Sequence, residues 1–322
     1  MWERERKVGR SPTSVFQAAR GDLRRMRRIG VLLTFGLLAG LVSTELLLRA
    51  LGRLNHPLFE ADPQYEYLMR PDQDVRYGRI HYVTNALGLR SPPIGPKRGR
   101  RVLIIGDSVI NGGQQTTQDS LATEQAARRT GVELINLSAG SWGTENAMAW
   151  IRAHGLMQAD ALIIVLSSHD AYDRMTFEPV VGHHPSYPAE RPQLALSAEL
   201  DRWTHRRRDR RAVSDRTFAS GWRALRDTAV VRGLQLTVVL HPELGELAMG
   251  RYDVRGARIL DSLTTWNVAV VTTIDRMDSA MYTDRIHLND RGQAALADVL
   301  VEVIDRSTPA NTFGHDPSSP TR

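Results

Sequence analysis

Five short apolar runs recur along the chain and predict the strands of one sheet. They occupy residues 101–106, 132–137, 161–167, 234–241 and 268–274. Helix-like stretches lie between or after them, at residues 117–129, 144–156, 217–232, 255–266 and 291–305. Strands this continuously apolar are buried on both faces, which is typical of a parallel sheet covered by helices. The pattern therefore predicts an α/β fold, a doubly wound, flavodoxin-like three-layer sandwich with a five-stranded parallel sheet.

A longer apolar run lies near the N-terminus and predicts a transmembrane helix over residues 29–50. Within residues 29–48, IGVLLTFGLLAGLVSTELLL, the clearly polar residues are Thr34, Ser43, Thr44 and Glu45. Twenty helical residues extend about 30 Å, which matches the hydrocarbon core of a bilayer. We therefore expect one membrane-spanning helix, with Glu45 close to the outer interface, where a carboxylate is tolerated.

The net charge of +6 is concentrated directly before this apolar run. Residues 1–28 contain nine Arg or Lys and three acidic residues, and the rest of the chain carries 33 charges of each sign. A basic flank on the N-terminal side predicts a cytoplasmic N-terminus, with the remainder of the chain outside the membrane. Because the remainder is neutral, the basic balance does not indicate a nucleic-acid partner.

The apolar run has two alternative interpretations besides an uncleaved anchor. A cleaved signal peptide needs small residues in an A-x-A pattern, and no clean pattern lies between Ala39 and Thr44. A buried helix of a soluble domain leaves the cationic flank unexplained. The uncleaved anchor is the favoured interpretation.

The composition divides the chain into five segments and one insertion. The insertion, residues 172–215, follows the third predicted strand, contains paired histidines and an Arg-rich run, and is expected to be partly helical. The segments are a basic tail at 1–28, the anchor at 29–50, a Pro-, Gly- and Arg-rich connector at 51–100, the α/β domain at 101–306 and a tail at 307–322 expected to be disordered.

Polar residues follow the predicted strands at the positions where ligands bind in such a fold. In an open parallel sheet, ligands lie outside the carboxyl ends of the strands, so these residues are expected to converge on one edge. The candidates are Asp107, Ser108, Gly140, Ser141, His169, Asp170, Asp284 and His287.

These residues resemble the SGNH (GDSL-type) hydrolases over residues 101–304. Gly106-Asp107-Ser108 is similar to the first block of that family, and NLSAGSWGT, residues 136–144, to the second. SSHD at residues 167–170 occupies the place of the third block, and Asp284-x-x-His287 that of the fifth. The lead-in NALGLR, residues 85–90, resembles membrane-anchored bacterial members.

The resemblance implies a Ser-His-Asp mechanism. Ser108 would be the nucleophile, and His287 would take its proton and later return it to the leaving group. Asp284, three residues before His287, would fix the imidazole tautomer. Read alone, Ser108 would be interpreted as a helix N-cap residue, and the Asp284–His287 pair reverses that preference in favour of catalysis.

The remaining candidates would form the oxyanion hole or support it. Gly140 or Ser141 would give a backbone N–H, and the sequence does not choose between them. His169 stands where the family has an asparagine donor, so it either donates one N–H or stabilises its turn. Asp107 and Asp170 are supporting residues, and Asp170 would orient His169 or the neighbouring backbone.

No cofactor or metal is expected. The chain has no cysteine, which excludes disulfides, thiolate catalysis and cysteine zinc sites. His183 and His184 lack the HExxH spacing of a zinc site.

Taken together, the sequence predicts an extracytoplasmic serine esterase anchored in the cell membrane. The resemblance points to O-acetyl groups of a glycan, or to another ester of the cell envelope, as substrate. Two alternatives stay open: a polysaccharide O-acyltransferase with the same triad, and a non-catalytic glycan-binding protein of the same fold. The sequence indicates no oligomeric state.

Overall fold

A computed structural model describes residues 12–205 and 217–307. The predicted tail beyond Ser307, the first 11 residues and the Arg-rich part of the insertion at 206–216 lie outside the described residues.

The described residues contain nine strands, nine α-helices and three short 3-10 helices. The strands are β1 (Phe59–Asp62), β2 (Glu66–Met69), β3 (Asp74–Tyr77), β4 (Ile80–Val83), β5 (Arg101–Gly106), β6 (Glu133–Ser138), β7 (Ala161–Ser167), β8 (Gln235–His241) and β9 (Ala269–Thr272). The helices are α1 (Pro12–Ala50), α2 (Ser108–Asn111), α3 (Ala122–Thr130), α4 (Thr144–His154), α5 (Ala195–His205), α6 (Gly221–Arg232), α7 (Leu244–Met249), α8 (Val254–Thr265) and α9 (Asp290–Arg306).

The central sheet has the order β6-β5-β7-β8-β9, and all its strand pairs are parallel. This order is that of the flavodoxin-like doubly wound fold, so the predicted fold class is confirmed. Strand β5 shows why the sequence pattern was informative, because all six of its residues are buried. Its alternate side chains enter two separate cores, with Leu103 and Ile105 on one face and Val102 and Ile104 on the other.

Helices cover both faces of the sheet. Helices α4, α6 and α8 contribute Trp150, Leu225 and Ile259 to one core. Helices α3 and α9 contribute Ala126 and Leu296 to the other. The reversal of strand order between β5 and β7 leaves a crevice at their carboxyl ends, where the polar candidates lie.

The connector at residues 51–100 is more regular than the sequence pattern indicated. It forms two antiparallel hairpins, β1-β2 and β3-β4. Their buried side chains, among them Phe59, Tyr67 and Tyr82, belong to the same core as α4 and α6. Strands of four residues are too short to show a periodic pattern, which is why sequence reasoning found only a turn-rich segment here.

Helix α1 contains a stretch, Arg25–Ala50, that is long and apolar enough to cross a membrane, and the most apolar 18 residues within it have a mean hydropathy of 2.0. Its most apolar part is not buried against the rest of the described chain. Near its C-terminal end, the Glu45 carboxylate accepts the N–H groups of Ala195 and Leu196 at 3.0 and 2.9 Å. Glu45 therefore binds the first turn of α5, which is the helical part of the insertion.

Candidate active site

Ser108 is the first residue of the four-residue helix α2 and follows strand β5 directly. The N-cap is Asp107, whose Oδ1 accepts the Val109 N–H at 2.8 Å. The structural alternative for Ser108, that of an N-cap residue, is therefore wrong. Asp107 caps the helix, and the hydroxyl of Ser108 is left for another partner.

The turn from β5 into α2 requires a glycine at position 106. A Cβ on Gly106 would lie 2.5 Å from the carbonyl oxygen of Val165 and would also collide with Ile110. Helix α2 is then fixed from two sides, because Asn111 Nδ2 donates to Ser138 O at 3.0 Å and Gln293 Nε2 donates to Val109 O at 2.8 Å. These contacts hold the nucleophile candidate on a rigid turn.

His287 and Asp284 reach Ser108 from the segment between β9 and α9. His287 Nε2 lies 3.0 Å from Ser108 Oγ, and His287 Nδ1 lies 2.7 Å from Asp284 Oδ2. The other oxygen, Asp284 Oδ1, accepts the backbone N–H groups of Ile286 and His287 at 3.0 and 2.9 Å. Two different atoms of one carboxylate thus fix both the backbone turn and the imidazole ring.

Asp284 stays ionised in this setting. Burial opposes its ionisation, but the hydrogen bonds from the His287 ring and from the two backbone N–H groups outweigh burial and hold the pKa of Asp284 well below its usual value. A carboxylate that accepts from Nδ1 leaves Nε2 as the acceptor for the Ser108 hydroxyl. The three predicted residues therefore form one hydrogen-bonded chain.

The second block forms a turn beside this chain. Ser141 has a φ of 57°, a left-handed conformation unusual for a residue with a side chain, and its side chain is exposed. Within residues 12–205 and 217–307, the backbone N–H groups of Ser108, Gly140 and Ser141 have no hydrogen-bond acceptor. Free N–H groups of this kind are what an oxyanion hole needs.

His169 lies in a 3-10 turn, Ser168–Ala171, and faces three carboxylates. Its Nε2 is 3.4 Å from Asp107 Oδ2 and 3.8 Å from Asp170 Oδ2, and its Nδ1 is 3.6 Å from Glu243 Oε1. Burial opposes protonation, but the charges of Asp170, Asp107 and Glu243 outweigh it and raise the pKa of His169 well above its usual value. The three carboxylates around the ring therefore favour its protonated form.

The surroundings of His169 bear on the two roles that the sequence left open. Both ring nitrogens face carboxylates, and Nδ1 is enclosed without a hydrogen bond. Asp170 Oδ2 also accepts the Ser167 N–H at 2.8 Å, which fixes the turn. This arrangement favours an ion-pair role in the turn, while the 23% exposure of the His169 side chain leaves part of the ring open to solvent.

Glu243 was not found from the sequence. It follows β8, its carboxylate also pairs with Arg255 at 2.9 Å, and it comes close to His169 only through the fold. The feature of the sequence that could have identified Glu243 is its position as a charged residue just after the fourth predicted strand.

Among the described residues, three could together hold a metal ion. Asp107, His169 and Asp170 each offer one ligand atom, and these atoms all lie within 4.8 Å of one another.

Other residues singled out in the sequence lie outside this cluster or are enclosed. Trp142 is fully buried and its Nε1 donates to the Tyr67 carbonyl at 3.0 Å, so it packs in the core. His183 and His184 line a separate cavity of about 470 Å³ beside α5. His241 is also fully buried, and its ring stacks on Tyr282 with centroids 5.4 Å apart.

Comparison with solved structures finds low-identity similarity to lipolytic proteins and esterases. The lipase/acylhydrolase from Enterococcus faecalis is 15% identical, with a TM-score of 0.41 over 66% of this chain and 98% of that one. A carbohydrate acetylesterase from Sinorhizobium meliloti is 14% identical, with a TM-score of 0.38 over 65% and 99%. A member of the lipolytic protein G-D-S-L family from Veillonella parvula DSM 2008 is 13% identical, with a TM-score of 0.40 over 65% and 100%.

No family model matches the chain, and no curated protein matches it in sequence. The chain is thus similar to solved GDSL-type lipolytic proteins and esterases, the group that its motifs resemble.

Proposed function

We propose that the protein is a serine esterase of the SGNH type that works through an acyl-enzyme. The observation that carries the proposal is the continuous hydrogen-bonded chain from Ser108 Oγ to His287 Nε2, at 3.0 Å, and from His287 Nδ1 to Asp284 Oδ2, at 2.7 Å. Nucleophile, base and orienting carboxylate are each within hydrogen-bond reach of the next, as covalent catalysis requires.

The reaction proceeds in two halves. Ser108 Oγ attacks the ester carbonyl carbon while its proton moves to His287 Nε2, and the carbonyl oxygen becomes an oxyanion. The C–O bond to the alcohol breaks, and His287 returns the proton to the leaving alkoxide. Water then attacks the acyl-enzyme, gives its proton to His287 and releases the acid, and Ser108 regains its proton. Asp284 stays ionised throughout and holds the imidazolium.

The oxyanion would be held by backbone N–H groups. The N–H groups of Ser108, Gly140 and Ser141 all lack an acceptor among the described residues, and Ser108 together with Gly140 or Ser141 would bind the oxyanion. We propose that the His169 imidazolium adds a positive charge next to the nucleophile turn, because its Nε2 lies 3.4 Å from Asp107 Oδ2. Losing one oxyanion donor typically lowers kcat by about 10²- to 10³-fold.

We propose that the site acts outside the cytoplasmic membrane. The apolar run at residues 29–48 of α1 follows a basic flank that favours a cytoplasmic N-terminus. The rest of the described chain would then face the envelope. An ester on a glycan or another envelope molecule, with an O-acetyl group as the leading case, is the substrate that fits this location.

The test is ester hydrolysis by the full-length protein in detergent, with 4-nitrophenyl acetate as substrate. Ser108→Ala is expected to lower kcat by at least about 10³-fold, because the acyl-enzyme cannot form. Ser197→Ala is the matched control, since it removes an exposed hydroxyl that bonds only within its own turn, to Leu194 O. Its activity is expected to equal that of the wild type.

Two outcomes would change the conclusion. Wild-type protein without turnover, or Ser108→Ala with undiminished turnover, contradicts the esterase. Turnover that begins only when an acetyl-accepting polysaccharide is added assigns the protein to O-acyltransfer instead, because the acyl group would then leave Ser108 for a sugar hydroxyl rather than for water.

A further inference from the structure

The peptide between Gly140 and Ser141 is held by a residue from the N-terminal hairpin. The Tyr67 hydroxyl donates to the Gly140 carbonyl oxygen at 2.6 Å. Tyr67 is itself fixed, because it is buried in the core and its carbonyl accepts Trp142 Nε1 at 3.0 Å. Burial raises the pKa of Tyr67 well above its usual value, so its hydroxyl remains a donor.

This contact determines the direction of the next N–H group. In a planar trans peptide, the carbonyl of one residue and the N–H of the next point in opposite directions. With the Gly140 carbonyl held by Tyr67, the Ser141 N–H points away from Tyr67 and the core. That N–H has no acceptor in the described parts of the chain, and Ser141 itself is exposed.

The turn needs to be held, because its backbone conformation is costly. The φ of Ser141 is 57°, and a non-glycine residue keeps such a conformation only where surrounding contacts determine it. Tyr187 packs against the same peptide, with its hydroxyl 3.3 Å from Ser141 Oγ. A Cβ on Gly140 would approach that hydroxyl to 3.1 Å.

The neighbouring hairpin residue holds the other end of the turn. Glu66 accepts Asn146 Nδ2 at 2.7 Å, and Asn146 Oδ1 accepts the Gly143 N–H at 3.0 Å. The other Glu66 oxygen accepts the N–H groups of Thr176 and Phe177 at 2.6 and 2.7 Å. Two consecutive residues of one hairpin therefore hold the turn at residues 140–143 from both ends.

We propose that Tyr67 is a positioning residue that presents the Ser141 N–H as an oxyanion donor, so that the hairpin residues 66–67 complete the active site of the α/β domain. The inference rests on the proposed esterase function. It assigns the donor to Ser141 rather than to Gly140, and it gives the segment between anchor and α/β domain a part in catalysis.

The test is the steady-state kinetics of Tyr67→Phe with 4-nitrophenyl acetate. The variant keeps the ring and its packing and removes only the hydroxyl. With the carbonyl released, the Ser141 N–H is expected to lose its fixed direction, and kcat is expected to fall about tenfold while KM changes less than twofold. The largest decrease of kcat to be expected is that for loss of the complete oxyanion donor, about 10²- to 10³-fold.

Tyr65→Phe is the matched control. Tyr65 belongs to the same hairpin turn and packs on Trp142 with ring centroids 5.7 Å apart, but its hydroxyl does not bond to Gly140. Its kcat is expected to stay within twofold of the wild type. Glu66→Gln weakens the contacts at the other end of the turn and is expected to show the same selective loss of kcat as Tyr67→Phe. It replaces Tyr67→Phe as the test variant if Tyr67→Phe does not fold.

The outcomes separate this inference from the proposed function. A wild type that hydrolyses the ester, with loss in Ser108→Ala, establishes the esterase independently of Tyr67. Against that background, a folded Tyr67→Phe with wild-type kcat overturns the inference. Equal losses of kcat in Tyr67→Phe and Tyr65→Phe also overturn it, because they would indicate general disturbance of the hairpin. If Tyr67→Phe does not fold, unchanged kcat in Glu66→Gln does the same.

Discussion

At the residue scale, Asp284 combines two functions that usually need two groups. Its side chain is 48% exposed, yet three hydrogen bonds keep it ionised and oriented. Oδ1 binds the backbone N–H groups of the Asp284–His287 turn and so fixes the orientation of the carboxylate. Oδ2 therefore faces His287 Nδ1 without needing another side chain to orient it. The spacing of three residues between acid and base follows from this double use of one carboxylate.

His169 has the most unusual electrostatic environment in the site. Asp107 faces it from the β5–α2 turn, Asp170 from its own turn, and Glu243 from the end of β8. Burial lowers the pKa of the neighbouring His241 to about 4, so that ring adds no charge at neutral pH. Burial raises the pKa of nearby Asp173 to about 6. A protonated His169 neutralises part of the acidic cluster.

The stability of the protein should therefore depend on the charge of His169. Its folded-state pKa is raised above the ordinary 6.5, so the folded protein holds this proton more tightly than the unfolded chain does. The stabilisation is fully present below about pH 6.5 and is lost as the pH rises through the raised value. Urea unfolding of the wild type is expected to show this decline, and His169→Asn is expected to lack it.

His169→Asn should also be less stable at pH 6 by about 3 kcal/mol, because buried carboxylates lose their cationic partner. His183→Asn is the matched control, since His183 is exposed in the described structure and its change should be nearly neutral. If the free energies of unfolding of wild type and His169→Asn change in parallel as the pH rises, His169 is not charged in the folded state.

The sequence identified the candidate residues that stand in recognisable motifs. It did not identify residues whose function depends on contacts with distant parts of the chain. Ser108, Asp284 and His287 stand in short motifs at strand ends, and the structure brings their side chains together; their catalytic role stays a proposal. Tyr67 and Glu243 carry no motif. Their positions depend on packing between segments far apart in the chain, which no local pattern records.

At the element scale, the loop after the nucleophile helix is organised by a buried arginine. Arg90 is 1% exposed and stacks on the Tyr82 ring at 4.4 Å. Its guanidinium donates to four carbonyl oxygens, those of His81, Asn111, Gly113 and Thr116. Burial lowers the pKa of Arg90 to about 10, so it stays charged at neutral pH. This contact gives the C-terminal arginine of NALGLR a structural function.

Replacing this arginine should destabilise the nucleophile loop. Arg90→Lys cannot reach four carbonyls with one ammonium group, so buried acceptors lose their donors, and the free energy of unfolding is expected to fall by about 2–4 kcal/mol. Arg98→Lys, at an exposed position of the same connector, is the matched control and should change stability by less than about 0.5 kcal/mol. Equal midpoints in urea for the two variants would contradict the assigned function of Arg90.

The main elements of the α/β domain were predictable because their burial is visible in the sequence. The predicted bounds of β5 and β7 agree with the structure. Strand β6 is shifted by one residue at both ends, and β8 begins one residue later than predicted. Strand β9 is shorter than predicted, Ala269–Thr272, since its residues lie at the sheet edge and are only partly buried. Helices α2 and α7, of four and six residues, are too short to show a helical period.

At the scale of the whole molecule, helix α1 is connected directly to the insertion of the α/β domain. Glu45 binds the first turn of α5, and Arg49 Nη2 donates to the Gln193 carbonyl at 2.7 Å. Both contacts come from the last turns of α1. If α1 spans the membrane as proposed, these contacts hold the α/β domain close to the outer surface, where an envelope substrate would be met.

The proposed orientation can be measured with reporter fusions in bacteria. Alkaline phosphatase joined after the C-terminus is expected to be active, and the same enzyme joined after Arg28 is expected to be inactive, because alkaline phosphatase matures only outside the cytoplasm. Changing Arg24, Arg25, Arg27 and Arg28 to Glu should reduce the activity of the C-terminal fusion by weakening the positive flank. A C-terminal fusion without activity, at normal expression, would contradict the topology.

Covalent labelling shows directly whether Ser108 is a nucleophile activated by His287. Full-length protein is treated with a serine-directed fluorophosphonate, digested, and analysed by peptide mass spectrometry. We expect a single adduct on Ser108, which is absent in Ser108→Ala and forms far more slowly in His287→Ala. An unlabelled Ser108 in folded wild-type protein, or equal labelling rates with and without His287, would contradict it.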